Sequence, residues 1–219
     1  MLQKAIEKVI TGQGGGQALK AALLCSSWLY KTGVKAKQVI DDTLWYKSPK
    51  VEVPVICIGN IIAGGSGKTP LIQKLVGDLQ GVARESIGVL ARGYKGSFSS
   101  EQDVLCLNTE VKLTAKQCGD EAFMLYKNLP GCQVVVGKNR YRGAKYALCR
   151  GSNLILLDDG MQNRTLFHDV KVAVLHADKL LGGQGLGEGF FLPRGLLRDF
   201  PSSLNKASYI VVNHVRDAK

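Results

Sequence analysis

The run from Val55 to Pro70 constrains this chain more than any other part of it. Four apolar residues, Val55-Ile56-Cys57-Ile58, lead into Gly59-Asn60-Ile61-Ile62-Ala63-Gly64-Gly65-Ser66-Gly67-Lys68-Thr69-Pro70. Glycines let the backbone turn so that successive N–H groups face phosphate oxygens, and a helix opening behind them adds its positive end. A lysine placed like Lys68 reaches the β- and γ-phosphates of a nucleoside triphosphate, and a hydroxyl placed like that of Thr69 reaches Mg²⁺. Gly64, Gly65, Ser66, Gly67, Lys68 and Thr69 are therefore the candidate nucleotide-binding residues. The spacing departs from G-x-x-x-x-G-K-[ST], since Ile62 stands at the first glycine and leaves a G-G-x-G-K-T variant.

Around this motif, apolar runs alternate with amphipathic ones. Residues 55–58, 87–90, 104–107, 134–136, 154–157, 172–175 and 209–212 read as strands, and 68–79, 120–129 and 140–149 as helices. Near-continuous apolar strands separated by helices predict an α/β fold of the P-loop type, a largely parallel sheet covered by helices on both faces. Residues 1–50 are expected as an N-terminal basic, apolar helical segment and 51–219 as the P-loop core.

A second motif, Leu154-Ile155-Leu156-Leu157-Asp158-Asp159-Gly160-Met161-Gln162, closes a later strand. The carboxyl ends of parallel strands converge on the ligand crevice, which makes Asp158 and Asp159 candidates for holding Mg²⁺ with Thr69. A solvated turn is the alternative. Gly119-Asp120-Glu121 opens a helix; Asp120 either caps it or serves as the base for an attacking hydroxyl. Lys138, Arg140, Arg142, Lys145 and Arg150 form a basic stretch that suits a solvated helix face or an anionic substrate.

The whole chain is basic: 29 Lys and Arg oppose 18 Asp and Glu over 219 residues, a net charge of +11, with mean hydropathy near zero. That composition excludes a mainly disordered protein and favours anionic partners. Eight lysines against Glu7, Asp41 and Asp42 concentrate part of the charge in the first fifty residues. There Ala18 to Tyr30 reads as a short helix with Trp28 and Tyr30 at its basic end. The run is too short and too interrupted to span a bilayer, which needs about 20 apolar residues. It either lies in a membrane interface or packs Leu23, Leu24, Trp28 and Leu29 on the main domain. Six scattered cysteines make no C-x-x-C pair and read as small apolar residues rather than zinc ligands or nucleophiles.

Taken in order, these motifs with Arg92-Gly93-Tyr94 and Leu192-Pro193-Arg194-Gly195-Leu196-Leu197-Arg198-Asp199 resemble the tetraacyldisaccharide 4'-kinase family of lipid A synthesis. The resemblance covers Pro54 to Asn213. It implies ATP and Mg²⁺ as cofactors and phosphorylation of the 4'-hydroxyl of tetraacyldisaccharide 1-phosphate to give lipid IVA. It assigns Asp120 as the catalytic aspartate, with Lys68 and Glu121 in the catalytic group, and Thr69, Asp158 and Asp159 at the metal. Arg92, Tyr94, Arg140, Gln162 and Arg198 are implied as substrate-binding. It also implies a peripheral protein on an anionic membrane surface, at the cytoplasmic face of a bacterial inner membrane or in plant mitochondria. Asn163 and Asp199 stand where the family often has His and Glu. The family's later F-x-D-H-H motif is not among these 219 residues, and none of His168, His176 and His214 takes its place, so the resemblance is to a shortened kinase.

Two other classes stay open. One is a P-loop ATPase or GTPase switch, against which no guanine-reading N-K-x-D is found; the other is a noncatalytic nucleotide- or lipid-binding remnant of the kinase. Positive charge without a reader motif counts against nucleic acid.

Overall fold

Each predicted strand forms in the computed structural model, which describes residues 2–10, 14–43, 48–83, 86–93, 96, 104–107, 114–177 and 189–214. The chain runs α1 (Leu2–Ile10), α2 (Gln17–Thr43), β1 (Val55–Gly59), α3 (Lys68–Ala83), β2 (Ile87–Ala91) and β3 (Leu105–Leu107). It continues through α4 (Ala115–Cys118), α5 (Asp120–Asn128), β4 (Gln133–Val136), α6 (Arg140–Cys149), β5 (Leu154–Asp158) and β6 (Val170–His176). A 3₁₀ turn over Pro201–Lys206 precedes β7 (Tyr209–Asn213). The strand order is β3-β4-β2-β5-β1-β6-β7. The chain divides into two compact units, one of Met1–Tyr46, Asn60–Gly67 and Ala173–Lys219, the other of Lys47–Gly59 and Lys68–Val172.

In the second unit, β1 pairs parallel with β5 from Val55 opposite Ile155 to Ile58 opposite Asp158. Strand β2 lies parallel between β5 and β4. Strand β3 runs antiparallel to β4, with Leu105 opposite Val136, an edge arrangement common on otherwise parallel sheets. Cys57, Ile155, Leu156 and Leu157 are buried on both faces, which explains why these strands read as unbroken apolar runs. The helices bury one stripe each: Ile72 and Val76 on α3, Ala122 and Leu125 on α5, Gly143, Ala144 and Ala147 on α6. Asn139 starts α6 by accepting the Arg142 backbone N–H on its side-chain oxygen at 3.1 Å.

In the first unit, α2 is longer than the short helix expected. Its 27 residues continue past Tyr30 because Lys35, Ala36, Lys37 and Gln38 are good helix formers, and Lys37 pairs with Asp41 one turn on at 3.9 Å. Its inner stripe is partly polar. Leu23 is buried, the Ser27 hydroxyl donates to the Phe191 carbonyl at 2.8 Å, and the Tyr30 hydroxyl donates to the Arg198 carbonyl at 3.3 Å. Two turns further, Gln38 Nε2 donates to Asp199 Oδ1 at 2.8 Å, and one turn beyond that Lys206 pairs with Asp42 at 3.1 Å. Trp28 and Leu29 point outward, 64% and 75% exposed, so of the four side chains considered for packing Leu23 is the fully buried one. Among the described residues no helix is long and apolar enough to cross a membrane.

Candidate functional site

Asp158 ends β5 opposite Ile58, the penultimate residue of β1, because the parallel register brings the carboxyl ends of these strands level. It is 6% exposed, and its Oδ1 is buried with no hydrogen-bond partner among the described residues. Burial, reinforced by the neighbouring Asp159, pushes its carboxyl up to about 6, against the opposing pull of Lys68. Asp159 turns the chain at a positive φ of 54°, an unusual conformation for a residue with a Cβ. Its Oδ1 lies 3.5 Å from Lys68 Nζ, at the first residue of α3, and Thr69 follows on the same turn. Gly160 is obligatory there, since a Cβ would collide with Leu157 and lie 2.9 Å from Cys57 Sγ. The sequence motif thus yields a lysine paired with one aspartate beside a second, buried one whose Oδ1 has no partner among the described residues.

Asp120 is the first residue of α5, and Gly119, at φ 90°, occupies the cap position instead. Asp120 makes no capping bond, is exposed along with Glu121, and accepts no hydrogen bond from the described residues. Both carboxylates benefit from the positive helix end.

The arginines divide. Arg92 is exposed just beyond β2. Arg140 is 3% exposed; its Nη1 donates to the Ala91 carbonyl and, at 2.6 Å, to that of Gly137, ties between the ends of β2 and β4. Burial lowers its guanidinium to about 10, still charged at neutral pH, with Asp158 as the largest opposing influence. Gln162 sits in the turn after Asp159, and Tyr94 lies outside the described residues. Of the remaining basic stretch, Lys145 reaches Glu52 at 2.8 Å and Arg150 stacks on Tyr146, as a solvated face would.

In the first unit, the segment Asn60–Gly67 is held by the Leu192–Asp199 motif. Ala63 N–H donates to the Leu196 carbonyl at 2.7 Å, and the Arg198 and Asp199 N–H groups donate to that of Ile61. Ile62 and Leu197 form an antiparallel bridge. Arg198 adds Nε and Nη2 to the Asn60 carbonyl at 3.2 and 3.1 Å. Within the segment, Asn60 Nδ2 donates to Ser66 Oγ at 2.8 Å. Asp199 is buried and accepts from Gln38, Ser203 and the Phe200 N–H, a structural use that the sequence pattern does not announce. Asn213, likewise unmarked as a site residue, donates to the Ser66 and Gly67 carbonyls at 3.0 and 3.3 Å.

Among the described residues no three His, Cys, Asp or Glu side chains gather as a metal cluster. Two carboxylates and a hydroxyl nevertheless suit Mg²⁺, which keeps most of its waters and takes few protein oxygens, and the unpartnered Asp158 oxygen fits such a ligand. The cysteines carry no chemistry of this kind. Burial holds Cys57 up at about 12 and Cys132 at about 11, so neither is a thiolate at neutral pH.

A parallel α/β sheet whose first strand passes through Gly-Gly-Ser-Gly into a Lys-Thr helix, with paired aspartates closing the adjacent strand, defines a P-loop phosphate-binding protein. Residues 19–219 match the family described as Tetraacyldisaccharide-1-P 4'-kinase, and the chain belongs to that family. It is 35% identical over 187 residues to the tetraacyldisaccharide 4'-kinase of Chlamydia caviae, covering 85% of this chain and 48% of the relative. With that of Chlamydia trachomatis it shares 39% over 182 residues, covering 80% and 47%. A crystal structure of LpxK from Aquifex aeolicus in complex with ATP superposes with a TM-score of 0.78 at 31% identity, covering 90% of this chain and 59% of that one. The chain spans about half the length of the curated relatives it matches.

Proposed function

We propose that this chain transfers the γ-phosphoryl group of ATP to the 4'-hydroxyl of tetraacyldisaccharide 1-phosphate. The observation that carries this reading is the Lys68–Asp159 pair at the head of α3, with Asp158 buried beside it, in a chain of this family. In the reaction the hydroxyl oxygen bonds to the γ-phosphorus, the bond from that phosphorus to the β,γ-bridging oxygen breaks, and ADP leaves. Asp120, exposed and without a hydrogen-bond donor, takes the hydroxyl proton. Glu121 beside it completes the acidic pair at the start of α5. Lys68 and the Gly64–Gly67 N–H groups hold the phosphates. Thr69, Asp158 and Asp159 hold Mg²⁺, which when bound neutralises charge on the phosphate oxygens. Arg92, Tyr94 and Gln162 take the anionic disaccharide. Arg140 and Arg198 bear on substrate through the backbone they brace.

The outward face of α2 supports a peripheral site of action. Trp28, Leu29, Val39 and Ile40 are exposed among Lys31, Lys35 and Lys37, the composition of a helix lying in an anionic interface.

Incubation with tetraacyldisaccharide 1-phosphate and γ-labelled ATP tests the reading. Label is expected in the lipid, falling by roughly 10²-fold or more in Asp120→Ala, the range for loss of a general base, and disappearing in Lys68→Ala. ATP hydrolysis with no labelled lipid would instead identify a switch, and nucleotide binding with neither reaction a binding remnant.

A further inference from the structure

We propose that helix α1, acting through Arg194, braces the glycine-rich segment for the phosphates of a nucleotide, which makes Arg194 a positioning residue. This rests on the reading that Gly64–Gly67 takes the phosphates of a nucleoside triphosphate. Helix α1 lies ahead of residues 19–219, the part of the chain that matches the kinase family.

A nine-residue helix is marginal in water by itself, so α1 holds its form through what it packs against. Val9 is 2% exposed, Ile6 and Ile10 are half-buried on the same stripe, and Lys4, Glu7 and Lys8 face outward. Gly15, at φ 110°, returns the chain so closely that a Cβ there would collide with Val9 Cγ2. The last turn of a helix leaves backbone carbonyls without helical partners. Arg194 Nη1 donates to that of Val9 at 3.1 Å, a cation at the negative end of α1. The same guanidinium lies over the Phe190 ring, 5.1 Å from its centroid.

Arg194 stands at the tip of a tight turn. The Gly195 N–H donates to the Phe191 carbonyl at 2.9 Å, and the Leu197 N–H donates to that of Phe190 at 3.1 Å. Two residues past Arg194, the Leu196 carbonyl accepts from the Ala63 N–H at 2.7 Å, and Leu197 bridges to Ile62. Ala63 directly precedes Gly64, which is exposed at φ 98°. A glycine run has the most backbone freedom to lose when phosphate orders it. Fixing the residue before the run, ahead of binding, lowers that ordering cost. One turn therefore holds the end of α1 on its tip and the entrance to the glycine run on its returning limb.

The test measures Mg²⁺-dependent binding of ATP and of inorganic tripolyphosphate to the 219-residue chain by calorimetry, at a temperature where circular dichroism shows each variant folded. Arg194→Ala is expected to weaken both ligands by the same factor, roughly three- to tenfold, the range for coupling through neighbouring structure. Val9→Lys, which sets a charge in a buried position and so forces α1 away, is expected to do the same. Because the two act through one contact, the double variant should bind no more weakly than either single one. Should Val9→Lys not fold, Gly15→Ala, which presses on Val9, takes its place in the cycle. A role in stability alone would lower the melting temperature and leave both affinities of the folded protein unchanged, which overturns the brace. So does a loss in the double variant equal to the product of the single losses, or a loss for ATP without one for tripolyphosphate. If the native chain binds neither ligand, the phosphate-loop reading fails and the brace with it; if it binds both and no variant alters them, the brace alone falls.

Discussion

Asp158 carries a cost that its ligand would relieve. Its carboxyl is raised to about 6 by burial and by Asp159, so the folded chain binds the proton more tightly than the unfolded chain does. Stability from this group is complete below about pH 4 and is lost as pH rises through 6. Asp158→Asn should therefore stabilise the metal-free protein at pH 7.5, by up to about 3 kcal/mol, and change little at pH 4. The same substitution should abolish Mg²⁺-dependent ATP binding, which in the native protein weakens below pH 6 as protons compete for the carboxylate. Thermal melts at the two pH values, with and without Mg·ATP, decide it; equal stabilisation at both pH values would show that the group is not raised. At this scale the sequence was legible for placement where spacing fixes it, as where the residue after β5, Asp159, comes within 3.5 Å of Lys68 at the head of α3. It was not legible for Arg140 and Arg198, because a formal charge says nothing of whether a guanidinium meets solvent or a backbone carbonyl. Asn213 escaped because an amide ending a strand has no pattern until the loop carbonyls are seen opposite it.

Helix α2 shows the same division at the scale of an element. Its existence was legible from Ala18–Tyr30, but its length was not, since its later inner stripe is held by Gln38 and Asp42 rather than by an apolar repeat. Hydropathy also could not decide which aromatic faces inward: Tyr30 bonds the Arg198 carbonyl while Trp28 and Leu29 stay outside. Replacing both exposed residues by alanine should leave the melting temperature within about 1 °C, because neither supports the core. Each large apolar side chain contributes about 1.5–3 kcal/mol when fully buried, so co-sedimentation with anionic vesicles should fall at least about tenfold. Unchanged vesicle binding would remove α2 from the membrane contact, and a large drop in melting temperature would show that the pair packs internally. Raising salt should weaken vesicle binding of the native protein, since the lysines beside this face act through a screened field.

For the molecule as a whole, the alternation of apolar and amphipathic runs was enough to read the parallel sheet, because buried parallel strands leave no polar face to confuse the pattern. The antiparallel β3 was not readable, since three residues carry no directional signal. Nor was the division into units that interleave along the chain, which depends on contacts between distant segments. Saturating Mg·ATP should raise the unfolding free energy by about 2.7 kcal/mol at one hundred times its dissociation constant, or roughly 5–10 °C for a chain of this size. Calorimetry of the native protein and Lys68→Ala checks this, and an equal rise in the variant would mean the stabilisation arises elsewhere.

The clamp on the glycine-rich segment also sets an order of events during synthesis. Asn60 is braced by Arg198, 138 residues later, and Ser66 by Asn213, 147 residues later. At typical elongation rates the segment emerges on the order of ten seconds before these partners. A growing chain can thus assemble β1, β2, β4 and β5 while its glycine turn is still unbraced, and the turn gains its last brace only once Asn213 of β7 has been made.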